Sequence, residues 1–321
     1  MQTSKLFITG GTGFVGSHIL TELIQDGYSC KALYRNYPSV QSKAQWVKGD
    51  LLDPGSFELY LDEVDTIVHA AGFISYQKKD KQKLMYSNCI ATKELVNSAL
   101  NKKVKNFVYI SSASTLIRSV DPLYISLKGS GTPVFNSYYA KTKFLAELEI
   151  WRAAAEGMNV CVLYPSLVIG GWKWNKSSMQ IFGKVNSGIS YYPLGNLGIV
   201  SAVDLAKIVS KICMNDMNGQ RFLINAEVWS YNDFLNEIAK SLGKKKIIKE
   251  ASNWQAYLLS LLNISFSFWN QNQAIITRET IKSSFSRFRY EPNLHSSLPN
   301  FNYQDIKDQI HEIVKQQKSI T

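Results

Sequence analysis

The feature that most constrains the fold is a set of three glycines between an apolar run and an amphipathic one: Gly10, Gly13 and Gly16 in the stretch TGGTGFVG that begins at Thr9. The run from Lys5 to Thr9 reads as a strand and Val15 to Gln25 as a helix, so the glycines mark a strand-turn-helix unit. Gly10 permits the tight turn, Gly13 lets backbone approach a pyrophosphate, and Gly16 lets the helix pack closely on the strand. Unpaired N–H groups at the start of the helix then face the anion. The expected contacts at this end are Gly10, Thr12, Gly13, Phe14, Val15 and Gly16.

The pattern repeats downstream. Short β-branched runs at Ser29 to Leu33, Gln45 to Lys48, Asp65 to His69, Asn106 to Ser111 and Val160 to Tyr164 alternate with helix-length stretches at Ser56 to Leu61, Leu84 to Leu100 and Ser137 to Glu156. Alternation of this kind specifies a doubly wound parallel α/β sheet of the Rossmann type. With 321 residues and 45% hydrophobic content, the chain has room for that domain and a smaller one. Residues 1–168 are expected to form the dinucleotide-binding domain. Residues 198–225 return to it as a strand at Gly198 to Asp204, a helix at Leu205 to Cys213 and a strand at Arg221 to Asn225. Residues 169–197 and 226–321 make a discontinuous C-terminal α+β substrate domain.

Trp254 to Trp269 is apolar, but Gln255, Ser260, Asn263, Ser265 and Ser267 interrupt it. It falls short of the roughly 20 apolar residues of a membrane span, and a helix of the second domain is expected there. The neighbouring Lys244, Lys245 and Lys246 leave peripheral membrane contact as a disfavoured alternative. The formal charge of +11 is dispersed over clusters such as Lys78 to Lys83 and Lys102 to Lys105 without interleaved aromatics, so no nucleic-acid partner is expected. Cys30, Cys89, Cys161 and Cys213 include no CxxC, and His18, His69, His295 and His311 lack ligand spacing, so no metal is expected. The start of the chain shows no charged-then-apolar leader, and a cytoplasmic location is expected.

An NAD site of this type carries an acidic residue at the end of the second strand. Here the strand runs out in Leu33, Tyr34, Arg35 and Asn36. A guanidinium suits a 2′-phosphate, so NADP is expected ahead of NAD, the alternative being an Arg35 that points to solvent. After the third strand, Asp50, beside Leu51, either accepts from the adenine amine or serves the turn. Tyr139 and Lys143 lie one helical turn apart on one face. A phenol of ordinary pKa near 10 is a poor base at neutral pH, and a neighbouring ammonium favours its ionised form.

The ordered motifs identify a resemblance to the extended short-chain dehydrogenase/reductases over almost the whole chain. They are Gly49-Asp50-Leu51-Leu52-Asp53, His69-Ala70-Ala71-Gly72, Val108-Tyr109-Ile110-Ser111-Ser112-Ala113, and Tyr164-Pro165-Ser166-Leu167-Val168-Ile169-Gly170. The resemblance implies that Ser112 bonds a substrate carbonyl, Tyr139 is the general acid or base, and Lys143 holds the nicotinamide ribose and lowers the tyrosine pKa. It adds Ala70, Ala71, Gly72, Asn88, Pro165 and Val168 to the cofactor contacts, with Asn88 as a structural or relay residue. It also implies a homodimer through the helices at Leu84 to Leu100 and Ser137 to Glu156, a monomer staying open.

Three departures bear on the substrate. Tyr164 stands where many members carry arginine, no arginine shortly precedes Ser201-Ala202-Val203-Asp204, and Ala113 and Ser114 replace the Asp-Glu pair of dehydratases. The chain is therefore most similar to the dihydroflavonol-reductase and 3β-hydroxysteroid-dehydrogenase branch, which implies an oxidoreductase acting on a ketone, an aldehyde or the corresponding alcohol. The alternatives are a sugar-nucleotide epimerase with retained NAD and a non-catalytic dinucleotide-binding sensor or scaffold. Trp172, Trp174, Met179, Phe182, Tyr191 and Tyr192 belong either to a substrate pocket or to the core.

Overall fold

The computed structural model describes residues 5–36, 42–118, 123–128, 132–214, 219–252, 278–291 and 301–319. Its centre is a seven-stranded parallel sheet. The strands are β1 (Lys5–Thr9), β2 (Ser29–Tyr34), β3 (Gln45–Lys48), β4 (Thr66–His69), β5 (Asn106–Ile110), β6 (Asn159–Pro165) and, from much later in the chain, Gln220–Ile224. In space the order is Gln220–Ile224, β6, β5, β4, β1, β2, β3, so the direction of winding reverses between β1 and β4. In open α/β sheets that crevice, outside the carboxyl ends of the strands, is where ligands bind. The central strands are buried on both faces, as their unbroken apolar runs require: Phe7, Ile8, Ile67, Val68, Phe107, Val108, Val160 and Val162 are all fully enclosed.

Helices cover both faces. The first, α1 (Phe14–Gln25), buries Ile19, Leu20 and Leu23. On the other face, α2 (Ala91–Asn101) and α3 (Tyr138–Ala155) lie side by side, with Leu95, Val96, Ala99, Ala146, Ile150 and Ala153 turned inward. Ser137 caps α3, its hydroxyl accepting from Ala140 N–H.

Some local expectations need correction. The long helix over Leu84 to Leu100 is broken into a short α-turn at Lys81–Leu84, a π-turn at Met85–Ile90 and α2. Around that π-turn the Asn88 carbonyl accepts from the Thr92 hydroxyl and the Asn88 amide bonds outside the helix. The helix over Ser56 to Leu61 is two tight turns, Pro54–Ser56 and Glu58–Leu61.

The strand expected at Gly198 to Asp204 runs from Asn196 to Ser201 and does not join the main sheet. It pairs in parallel with β7 (Leu167–Ile169) and antiparallel with Glu227–Ser230 in a separate three-stranded sheet. The position beside β6 is already taken by Gln220–Ile224. Gly198 marks the difference: a Cβ there would drive into the Asn225 side chain and sit 2.7 Å from the Tyr290 ring, whose hydroxyl accepts the Gly198 N–H. The following helix, Ala202–Met214, does pack against α1. Trp254 to Trp269 lies outside the described residues; no described helix is long and apolar enough to cross a membrane.

Candidate active site

The carboxyl ends of β1, β4, β5 and β6 bring the sequence-designated residues to one edge of the sheet. Behind β1, Gly10 adopts φ +76°, and a Cβ there would lie 2.5 Å from the Ala71 nitrogen. A Cβ at Gly16 would drive into the Gly10 carbonyl, which also accepts the Gly13 N–H at 2.8 Å. Gly10 and Gly16 are thus required by the packing of the turn against the end of β4 and the start of α1. Gly13 is different, because its Cβ would meet only the Gly10 oxygen at 3.2 Å.

Gly13 caps α1 without a side-chain acceptor, and the first turn of that helix carries no acidic residue. Its N–H groups and dipole are therefore available to an anion, which fits the phosphates of a dinucleotide. Thr12 and Val15 are half-buried, while Phe14 is buried against Trp172 and His18. Ala70 and Ala71 follow β4, held to Thr9 by N–H bonds to its carbonyl and hydroxyl, and Gly72 is exposed beyond them.

Arg35 sits just past β2 with its guanidinium 3.9 Å from the Asp50 carboxylate; the arginine is exposed and the aspartate half-buried. Asp50 accepts the Leu52 N–H through Oδ1 at 3.0 Å, so its turn role is realised in the fold. Leu51 is buried beneath it.

At the other end of the crevice, Ser112 follows β5 and Tyr139 stands at the start of α3, the serine hydroxyl near enough to act on the phenol. Ser112 Oγ also lies 2.9 Å from Ser114 Oγ. Burial pushes the Tyr139 phenol well above its ordinary pKa, and the Ser112 hydroxyl opposes that rise. Lys143 is only 4% exposed; its ammonium donates to the Ile110 carbonyl at 2.7 Å and lies 4.1 Å from the centre of the Tyr109 ring. Burial pushes its pKa down to about 7, with Glu147 acting in the opposite direction. The expected lowering of the Tyr139 pKa by Lys143 does not emerge from this geometry: the groups acting on the phenol are Tyr76 and Ser112, while Lys143 is turned to the end of β5.

Asn88 departs from a cofactor contact. Its Oδ1 accepts the Phe73 N–H at 2.7 Å, and its Nδ2 donates to the Phe73 carbonyl and to Thr142 Oγ1, both at 3.0 Å. With both amide hydrogens committed, the side chain is a staple between the loop after β4 and α3. Pro165 ends β6, and Val168 is buried in β7.

Several residues near the site went unnoticed in the sequence. Tyr76 packs edge-on to Tyr139, ring centres 6.3 Å apart. Asn136, three residues before Tyr139, has both amide atoms buried without a partner, and Ser166 Oγ, next to Pro165, is in the same state. Orphaned polar atoms beside a crevice fit a ligand with polar atoms of its own. Glu147, 4% exposed, carried the only readable signal, a carboxylate one helical turn beyond Lys143. Of the aromatic residues left between pocket and core, Met179, Phe182 and Tyr192 are buried in the core, Trp172 and Trp174 pack against it, and Tyr191 is exposed.

A glycine turn at the switch point of a seven-stranded parallel sheet defines the class of Rossmann-type nucleotide-binding proteins. Within that class the chain belongs to the NAD dependent epimerase/dehydratase family, whose model matches residues 6–197. Curated relatives include a putative dihydroflavonol 4-reductase from Synechocystis, 31% identical over 52% of this chain and 50% of that protein. Another is the sterol demethylase protein B of Methylococcus capsulatus, 23% identical over 74% of each. The chain thus spans only about half the length of the first of these. A dihydroflavonol 4-reductase of Dianthus caryophyllus and mycobacterial 3β-hydroxysteroid dehydrogenases also match, in keeping with the resemblance read from the motifs. The UDP-glucose 4-epimerase of Thermotoga maritima shares the fold, with TM-score 0.78 at 16% identity over 99% of this chain and 100% of that one.

Proposed function

We propose that this protein is an NADP-dependent oxidoreductase that reduces a ketone or aldehyde of a compact, largely apolar molecule, or oxidises the corresponding alcohol. The observation that carries the reading is the gathering of Ser112, Tyr139 and the buried Lys143 at the carboxyl edge of the sheet, with the Lys143 ammonium on the carbonyl of Ile110, two residues before Ser112. The nicotinamide supplies or accepts the hydride. When hydride reaches a carbonyl carbon, negative charge develops on the oxygen, and two hydroxyl donors aimed at that oxygen lower the barrier. Tyr139 delivers its phenolic proton to the alkoxide, and Ser112 holds the oxygen in place. Lys143, its ammonium on the Ile110 carbonyl, is left to hold the nicotinamide ribose.

The raised pKa of Tyr139 keeps the phenol protonated at neutral pH, which favours the direction in which it acts as an acid. Arg35 is the group suited to a 2′-phosphate. Ala70, Ala71, Gly72, Pro165 and Val168 line the path from the glycine turn to the nicotinamide, in keeping with the names of the reductases and dehydrogenases that the chain resembles. Exposed Leu148 and Tyr86 on the outer helices support a homodimer through that face.

The test is reduction of a panel of carbonyl compounds with NADPH, comparing wild type with Tyr139→Phe. We expect a loss of roughly 10²- to 10⁴-fold in turnover without loss of NADPH binding. Unchanged turnover in the variant would remove Tyr139 from the mechanism.

A further inference from the structure

Behind the proposed catalytic set lies a buried polar chain that none of its roles uses. Glu147, one turn after Lys143 on α3, accepts from the Ser111 hydroxyl at 3.1 Å, from the Trp151 indole N–H at 3.1 Å and from the Tyr164 hydroxyl at 2.5 Å. Tyr164 in turn accepts from Arg221 Nε at 3.1 Å, the guanidinium lying 5.3 Å from the centre of the Tyr164 ring. Tyr164 and Leu223 are paired across β6 and Gln220–Ile224, which places Arg221 two residues along the adjacent strand. The guanidinium also donates to the Leu127 carbonyl at 3.3 Å, so the neighbouring strand brings a fixed positive charge to the Tyr164 hydroxyl.

A buried carboxylate is costly unless its lone pairs are satisfied. Three uncharged donors, a hydroxyl, an indole N–H and a phenol, satisfy the lone pairs of this one. The other titratable groups facing Lys143 are His69 on β4 and Tyr109 on β5, and Tyr109 in turn is faced by Tyr139 on α3, Cys89 on the π-turn and Tyr164 on β6. His69 is held neutral and the phenols and thiol carry no charge near neutrality, which leaves Glu147 as the counter-charge.

We propose that Glu147 is a positioning residue whose carboxylate holds Lys143 in its ammonium form, and that Arg221, acting through Tyr164, moderates that counter-charge. The role rests on the oxidoreductase reading only for its consequence in catalysis; the charge linkage itself can be read without turnover. Opposite charges favour each other's ionised forms and like charges oppose them, so removing Glu147 and removing Arg221 must move Lys143 in opposite directions. A merely structural role for these residues predicts no such antisymmetry.

The experiment is an NMR titration of the full-length protein carrying ¹³C-labelled lysine, with the Lys143 Cε signal assigned by its loss in Lys143→Met. Glu147→Gln is expected to lower the Lys143 midpoint by about one pH unit or more, and Glu147→Asp to restore most of it. Arg221→Met is expected to raise the midpoint. A folded Glu147→Gln with an unmoved midpoint overturns the proposal. Where Glu147→Gln does not fold, an Arg221→Met midpoint that stays put or falls overturns it equally. In the active enzyme, the fall of kcat with rising pH begins earlier in Glu147→Gln, while KM at pH 6 is unchanged. The expected midpoints in a protein that reduces no carbonyl compound would sink the oxidoreductase reading and leave the charge linkage standing.

Discussion

His69 receives its Nδ1 hydrogen bond from the Thr9 hydroxyl at 2.6 Å, and the surrounding network fixes which nitrogen carries the proton. Thr92 gives its hydroxyl hydrogen to the Asn88 carbonyl at 2.6 Å, so at its 2.8 Å contact with His69 it can only accept. His69 therefore donates from Nε2 and accepts at Nδ1 from Thr9, whose oxygen accepts the Ala71 N–H. Every hydrogen in this chain is placed with the imidazole neutral. It ties the end of β1, and hence the glycine turn, to β4 and α2.

Burial pushes the His69 pKa down to about 3, with the Lys143 charge adding to the effect. The sign of the consequence is fixed: below about pH 6.5 the unfolded chain takes a proton that the folded one refuses, so stability falls as pH falls. The slope from this group is about 1.4 kcal/mol per pH unit between about pH 6 and pH 4. Urea unfolding across that range should show it. In His69→Gln the slope should flatten, whatever the variant loses at neutral pH.

The three glycines of the turn should separate by experiment. Gly16→Ala forces a Cβ into the Gly10 carbonyl, and Gly10→Ala adds a left-handed backbone to a 2.5 Å clash with Ala71. Each is expected to cost about 3 kcal/mol or more and to yield little folded protein. Gly13→Ala meets only one atom, at 3.2 Å, and should fold with a melting temperature within a few degrees of wild type. Its defect should be in dinucleotide binding, measured by fluorescence titration with NADPH. A Gly13→Ala protein that binds NADPH normally would show that the phosphates do not approach that backbone.

Much of this arrangement is legible in the sequence because strand period, glycine spacing and the Tyr139/Lys143 offset are local properties of the chain. The seven-stranded sheet and its crevice follow from them. What could not be read depends on partners far apart in sequence. The Asn196–Ser201 strand joins a second sheet because Gln220–Ile224 occupies the edge it would otherwise take. The Lys143 ammonium turns to Ile110, 33 residues earlier, and Asn88 spends its amide on Phe73 and Thr142. Tyr76 carries no motif and comes beside Tyr139 only through the path of its loop.

On the proposed reading, Arg35 separates the two nicotinamide dinucleotides. It is exposed and its contact with Asp50 is a loose 3.9 Å, so Arg35→Ala should leave stability within about 0.5 kcal/mol of wild type. The expected change is a rise of roughly ten-fold or more in the Kd for NADPH with little change for NADH, since a charge-assisted phosphate contact contributes about 1.5–3 kcal/mol. Isothermal titration with both dinucleotides reads the difference directly. Equal weakening for the two would move Arg35 away from the 2′-phosphate.

Asn88 joins the loop after β4 to the proposed catalytic helix, since Thr142 both accepts from its Nδ2 and donates to the Tyr139 carbonyl. Asn88→Ala leaves the Phe73 N–H without its acceptor and should cost about 1–3 kcal/mol. Asn88→Asp is the sharper probe. Its carboxylate can still accept the Phe73 N–H, but the other oxygen faces the Phe73 carbonyl 3.0 Å away, where only a donor is tolerated. The protonated acid is the favoured form in the fold, so the folded-state pKa rises above the unfolded value of about 3.9. The contribution is therefore present at low pH and lost as pH rises through the folded pKa. Relative to Asn88→Ala, the aspartate variant should be more stable near pH 5 and less stable near pH 8 in urea unfolding. A pH-independent difference between the two would mean that the loop relaxes away from the carboxylate and that the staple is weaker than its three bonds indicate.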